Sequence, residues 1–191
     1  PRDLAVVSDA SPWGLGAILV HVGTGTILEA MESQLTEKDE EELGFKIGDP
    51  ACQGIVELLA IWVALVRWLH YFRHRSRIPI LRADSLAALG VARKLSSPVP
   101  VLNHLAAEIS ITLEVADVAE PVTTHLPGKL NSVSDYFSRL GAPSVPPVPA
   151  AAQGVKLRSV KRSQDRGRGY ALPTATQQPE LWAGGPNEEE A

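Results

Sequence analysis

The sequence holds a single cysteine, Cys52, so no disulfide can close within the chain. That absence fits a reducing compartment and implies an intracellular protein, cytoplasmic or nuclear. No basic-then-apolar leader opens the chain. Long hydrophobic runs are missing too: the longest, Leu58 to Val66, falls far short of the ~20 residues that cross a bilayer, and no membrane association is expected. Positive charge is also lacking overall, with a formal net charge of −4. This excludes less than it suggests, because local patches rather than net charge decide phosphate binding. Acids crowd residues 29–49, from Glu29 and Glu32 through Glu37, Asp39, Glu40, Glu41 and Glu42 to Asp49. Bases gather in Arg67 to Arg82 and again in Lys156 to Arg168. There is no initiator Met before the first apolar strand, as expected of a piece cut from a longer polyprotein.

The 191 residues, 45% of them hydrophobic, suffice for one domain with a real core and an appendage. LAVVSD at residues 4–9 reads as a short buried strand. The glycines of SPWGLGAILVHV allow a turn into a second strand at 15–22, and Gly23 and Gly25 mark a hairpin into a third at 26–30. The acidic stretch 32–50 reads as a solvated loop with a short helix at 36–43. A long helix without Gly or Pro between Ile55 and Phe72 runs from Gln53 to Phe72, apolar on most faces and so heavily buried. Pro79 opens a fourth strand, IPILRAD, and Asp84 and Ser85 cap a helix to Lys94. A helix over 101–115, a fifth strand near 118–125 and a last helix near 131–140 follow. Strands and helices in the order βββαβααβα predict an α/β fold, a five-stranded mixed sheet with helices on both faces. The domain is expected to span 1–142. Beyond it, prolines and then a basic Gly/Arg segment predict a disordered tail or linker over 143–191.

Four acids stand inside or at the ends of apolar elements: Asp9 closing the first strand, Glu57 in the most hydrophobic helix, Asp84 after the fourth strand and Asp135 in the last helix. Ionised carboxylates are rarely buried unpaired, and none of the four has an obvious basic neighbour on its own element. Brought together they repel one another unless a divalent cation joins them, and Mg²⁺ or Mn²⁺ suits an all-oxygen set. Two such ions can serve a phosphoryl displacement. Taken singly, each acid reads equally as a surface charge or a cap.

Four strings in order, VVSDASPWGLGAIL, QGIVELLA, LRADSLAAL and THLPGKLNSVSDYFSRL, resemble type 1 ribonuclease H, in particular the ribonuclease H domains of reverse-transcribing retroelements. The resemblance covers Leu4 to Leu140 and includes the spacing of His125, Asn131 and Asp135. It implies the ribonuclease H-like fold and cleavage of the RNA strand of RNA–DNA hybrids. Asp9, Glu57, Asp84 and Asp135 would be catalytic metal ligands for two Mg²⁺ ions, replaceable by Mn²⁺, with water attacking in line to leave 3′-hydroxyl and 5′-phosphate ends. His125 would help protonate the leaving group or release product. Ser11 and Asn131 would contact the substrate near its 2′-hydroxyls, the groups that distinguish RNA from DNA. Its partners would be the hybrid and the reverse transcriptase portion of the same polyprotein.

Bland readings stand beside these: a turn residue for His125, a helix N-cap for Asn131, a turn for Ser11. Trp62 and Trp68 read as core, while Trp13 lies in a turn beside Asp9. His70 and His74 resemble a metal pair by spacing, but the arginines around them favour a basic surface that tracks a phosphate backbone. Ser134 stands where many retroelement domains carry Ala, and no ligand is missing. The alternative to an active nuclease is a catalytically inactive copy serving as a structural or hybrid-binding module. An integrase-type strand transferase places its Glu last, whereas here Glu57 comes second.

Overall fold

The computed structural model of the protein describes residues 4–161. β1 (Leu4–Ser11), β2 (Gly14–His21) and β3 (Ile27–Gln34) form an antiparallel meander. β1 is buried along its whole length, which suits a run of apolar residues covered on both faces. The acidic stretch begins inside β3. It continues as α1 (Glu37–Leu43), started by a reciprocal Thr36–Asp39 capping box and ended by Gly44 at φ 68°.

A 3-10 turn at Pro50–Cys52, capped by Asp49, leads into α2 (Gln53–Arg67). By length and hydropathy Pro50–Arg67 could be mistaken for a membrane span, but 67% of it is buried inside the protein. Its apolarity is that of a core helix. α2 stops at Arg67 rather than at Phe72, and two 3-10 turns, Leu69–Tyr71 and Arg73–Arg75, follow. The buried carboxylate of Glu29 on β3 draws three donors to the helix end: Arg67 Nη2 at 3.2 Å, Trp68 Nε1 at 3.2 Å and Tyr71 Oη at 2.9 Å. Arg67, expected on a basic surface, is therefore buried. Trp62 and Trp68 are core residues as expected, and the Trp62 indole also donates to Thr112 Oγ1 at 3.0 Å. His70 stacks on Tyr71 with ring centroids 4.1 Å apart, while His74 is exposed on the next turn.

β4 (Ile80–Ala83), α3 (Leu86–Lys94), α4 (Pro100–Val115), β5 (Val122–His125) and α5 (Ser132–Ser138) complete the alternating half. Ser85 caps α3 by accepting from Ala88 N at 3.2 Å. β4 lies parallel to β1, and β5 parallel to β4. One face of the sheet packs on α2, α3 and α4 through residues such as Val6, Leu19, Leu59 and Leu105. On the other, Ala5, Val7, Ile18 and Ala30 meet Val133 and Phe137 of α5.

The mixed sheet has six strands rather than five, in the order β5-β4-β1-β2-β3-β6. The sixth, β6 (Leu157–Ser159), comes from the segment expected to be disordered and pairs parallel with β3. A turn at Ala150–Ala152 buries Ala152 in the α5-side core. The chain is thus ordered past residue 142 at least to residue 161. Composition suggested otherwise because prolines shape this connection while the stabilising contacts are long-range: Ser33 Oγ donates to Val160 O at 2.9 Å, and Val160 N to Glu32 O at 2.8 Å. The rest of the expected tail, 162–191, lies outside the described residues.

Candidate active site

β1 places Asp9 near its end, opposite Gly16 of β2. Helix α5 lies so close to β2 there that a Cβ on Gly16 would run into the backbone of Ser134 and Ser138. That close approach gives α5 its hold on Asp9. Asn131 Nδ2 donates to Asp9 Oδ1 at 3.3 Å and to Ser8 O at 3.0 Å, and Ser138 Oγ donates to Asp9 Oδ2 at 3.1 Å. Asn131 sits at the N-cap position of α5 without capping it by its side chain. It is buried, orienting Asp9, and its own Oδ1 has no hydrogen-bond partner among the described residues.

β4 runs parallel beside β1, so Asp84, next after its last residue, comes to the same end of the sheet. His125 closes β5 level with Ala83, and Leu126 N donates to Ala83 O at 2.9 Å. The loop that follows passes over Asp84, where a Cβ on Gly128 would lie 3.2 Å from Oδ2. His125 is exposed. On the opposite face Gln53, in the first turn of α2, donates to Ala10 O at 2.8 Å and to Glu57 Oε1 at 3.0 Å, tying Glu57 to the residue after Asp9. Asp135 accepts from Arg139 Nε at 2.7 Å.

Burial first, and then the negative charges of Asp84 and Asp135, push the Asp9 carboxyl up to about 7; the Ser138 hydrogen bond and Arg139 oppose the shift. Asp84 and Asp135 therefore lie close enough to Asp9 to oppose its ionisation. Among the described residues, no three His, Cys, Asp or Glu side chains form a ready-made cage for one ion. In donor chemistry the carboxylate oxygens and the orphaned amide oxygen of Asn131 are hard ligands of the kind a divalent cation takes.

Ser11 ends β1 rather than lying in a turn. Its hydroxyl donates to Ser138 O at 2.6 Å and accepts from Trp13 N at 3.3 Å, so that side chain is engaged in docking α5. Gln53, Ser138 and Arg139 were absent from the sequence-based site. Arg139 corrects the expectation that no acid has a basic neighbour on its own element. It lies four residues after Asp135, at the C-cap of α5, and Gln53 lies four before Glu57 on α2. A search for helical i, i+4 partners would have found both. Nothing local marks Ser138, whose partner Asp9 is on a distant strand.

No family model and no curated protein matches the sequence. Solved structures do match. The chain resembles RNase H1 from the halophilic archaeon Halobacterium salinarum at a TM-score of 0.51 and 19% identity, covering 70% of this chain and 92% of that one. It resembles LC11-RNase H1, isolated from compost by a metagenomic approach, at a TM-score of 0.55 and 16% identity, covering 72% and 93%. LC11-RNase H1 in complex with RNA/DNA hybrid matches at 0.55 and 15%, covering 70% and 92%. The fold is ribonuclease H-like.

Proposed function

We propose that the protein is a divalent-metal-dependent ribonuclease H that hydrolyses the RNA strand of RNA–DNA hybrids, working within a retroelement polyprotein beside its reverse transcriptase portion. The observation that carries this reading is that buried Asp9 shares one sheet end with Asp84 and Asp135: burial first, and then their negative charges, push its carboxyl to about 7. A LC11-RNase H1 of the same fold is known in complex with an RNA/DNA hybrid.

On this reading Asp9, Glu57, Asp84 and Asp135 would hold two Mg²⁺ or Mn²⁺ ions. When bound, such ions supply charge neutralisation and a lowered water pKa for phosphoryl displacement. Asn131 and Ser138 fix the direction of the Asp9 carboxylate, and Gln53 fixes that of Glu57. Water adds to phosphorus as the bond to the 3′-oxygen breaks. That oxygen takes a proton, for which exposed His125 is the nearby candidate, leaving 3′-hydroxyl and 5′-phosphate ends. Because the Ser11 hydroxyl is engaged, contact with the 2′-hydroxyls would fall to the half-buried Pro12–Trp13 turn between β1 and β2.

One observation favours the inactive, hybrid-binding alternative: Arg139 already neutralises Asp135. Incubating the full chain with a hybrid labelled on its RNA strand, with Mg²⁺ or Mn²⁺, separates the two. Cutting is expected, and Glu57→Gln or Asp84→Asn abolishes it without changing the unfolding midpoint. Hybrid left whole but retained in a gel shift makes the protein a binding module. Hybrid neither cut nor retained overturns both readings.

A further inference from the structure

The far end of α2 gathers basic side chains from two distant parts of the chain around one carboxylate. α2 runs from the acid cluster, where Gln53 meets Ala10, to Arg67 beside Glu29, a span of about 21 Å at ~1.5 Å per residue. Glu29 already accepts from Arg67, Trp68 and Tyr71. Past the helix the chain turns sharply, with His74 at φ 56° and Arg75 at φ 50°. Successive left-handed residues other than glycine are strained and persist only where surrounding contacts hold them. Asp117 supplies that hold, its backbone oxygen accepting from Arg75 N and its carboxylate from Arg75 Nε, both at 2.9 Å. The turn so held brings Arg73 close enough for His70 to feel its charge, and Arg77 close enough for Tyr71 to do so.

β6 closes the cluster from the sheet side. Arg158 stands opposite Met31, which lies two residues after Glu29 on β3 and packs with α2. Arg158 therefore shares the face of Glu29, and Arg67 feels its charge. Arg158 Nε and both ring nitrogens of His70 are enclosed by protein and have no hydrogen-bond partner among the described residues. Burial first, and then Arg67 and Arg73, push the His70 imidazole down from its ordinary value, against Glu29. Donors left over among like charges suit a bound anion, which would relieve both conditions. A carboxylate offers two oxygens in one plane, whereas phosphate oxygens point in several directions and can be reached from the turn and from β6 together. We propose that His70 and Arg158, flanked by Arg73 and Arg77, form a phosphate-binding site at the end of α2. Arg158, a long side chain on an edge strand, turns aside to admit the anion and closes on it with its planar fork. The phosphate is free or carried by a nucleic-acid strand, since both present the same oxygens. The site shares no residue with the carboxylate cluster, so it goes beyond the nuclease reading and its failure would leave that reading intact.

The test follows the histidine ring protons of the full chain by NMR near neutral pH, in EDTA, as inorganic phosphate replaces sodium chloride at constant ionic strength. The chain has five histidines, and His70→Gln assigns the His70 signals by their loss. Those signals should move saturably, half-way at about 1 mM phosphate, while exposed His104 on α4 stays still. Arg158→Gln should raise the half-saturating concentration at least about tenfold. Arg158→Lys keeps the charge without the fork and should raise it about threefold, which guards against an undocked β6. Wild-type His70 signals that stay still, or that move only in step with His104, overturn the site. An unchanged half-saturation in Arg158→Gln overturns it too. Acetate acting at the same concentration as phosphate overturns the choice of ligand in favour of a carboxylate. The source is then read with RNA–DNA hybrid in Mg²⁺, on the chain carrying Glu57→Gln so that the hybrid stays whole. Movement of His70 by micromolar hybrid, reversed by inorganic phosphate, puts the phosphate on a nucleic-acid strand; His70 signals that ignore the hybrid make it free phosphate.

Discussion

Asp9→Asn should make the cation-free protein more stable at pH 8, although it removes a residue on which activity is expected to depend. Asp9 is only 8% exposed, and its carboxyl moves from 3.8 to about 7 on folding through burial and the charges of Asp84 and Asp135. A folded-state pKa raised above the unfolded value means that the folded chain holds the proton more tightly between the two. Stability is then greatest below about pH 4, falls as pH rises through that window, and levels off above about 7. The full cost of charging Asp9 is about 4 kcal/mol, at ~1.36 kcal/mol per tenfold change in acidity. Between pH 5 and 8 the wild type should lose about 2–3 kcal/mol of it. Asn carries no charge to penalise, but its amide nitrogen faces one of the two donors, Asn131 or Ser138, at a loss of about 1 kcal/mol. The net gain at pH 8 is about 3 kcal/mol. Urea unfolding in EDTA at both pH values measures it. Added Mg²⁺ should restore the wild type at pH 8 and leave the variant unmoved. A variant no more stable than wild type at pH 8, or one with the same loss between pH 5 and 8, refutes the reasoning.

Two further outcomes concern the supports of the site. Glu29→Ala leaves the Arg67 guanidinium buried without its carboxylate partner and should cost about 3–5 kcal/mol, read as a thermal unfolding shift; a loss below about 1 kcal/mol would show that Arg67 finds water. Gly16→Ala places a methyl against the backbone of Ser134 and Ser138 and should cost about 3 kcal/mol. It should also weaken hybrid cutting measured well below the unfolding temperature, because α5 must move away from Asp9. Unchanged cutting would separate α5 docking from the site.

The element order was legible because it rests on local pattern. Alternating or continuous apolar runs, Ser85 before α3, and carboxylates within apolar surroundings can all be read along a few residues. What was missed acts across the chain. β6 is short, and its partner strand lies more than a hundred residues earlier. Arg67 sits in a basic run and would pass for surface, except that Glu29 on a distant strand draws it inward. The turn assigned to Ser11 is strand because β2 pairs with it up to Gly14. The N-cap reading of Asn131 named the right position for the wrong reason: the side chain turns away from its own helix to Ser8 and Asp9.

Helix α5 draws these threads together. With Asn131 and Arg139 at its caps, it contributes Asp135 and Ser138 to the carboxylate cluster, and a further polar contact, Ser134 Oγ to Val7 O at 3.1 Å, fastens it to β1 two residues before Asp9. Ser134 is thus a second tie, and Gly16 is the gap that lets the helix close on the sheet. Docking α5 and assembling the site are one event. Half of the acids reach the sheet end on strands and need no help to get there, but Asp9 is oriented only when α5 is seated. Each substitution that loosens α5 should therefore alter Asp9 before it unfolds the protein, since the hydrogen bonds from Asn131 and Ser138 depend on tenths of an ångström while the apolar contacts of Val133 and Phe137 do not.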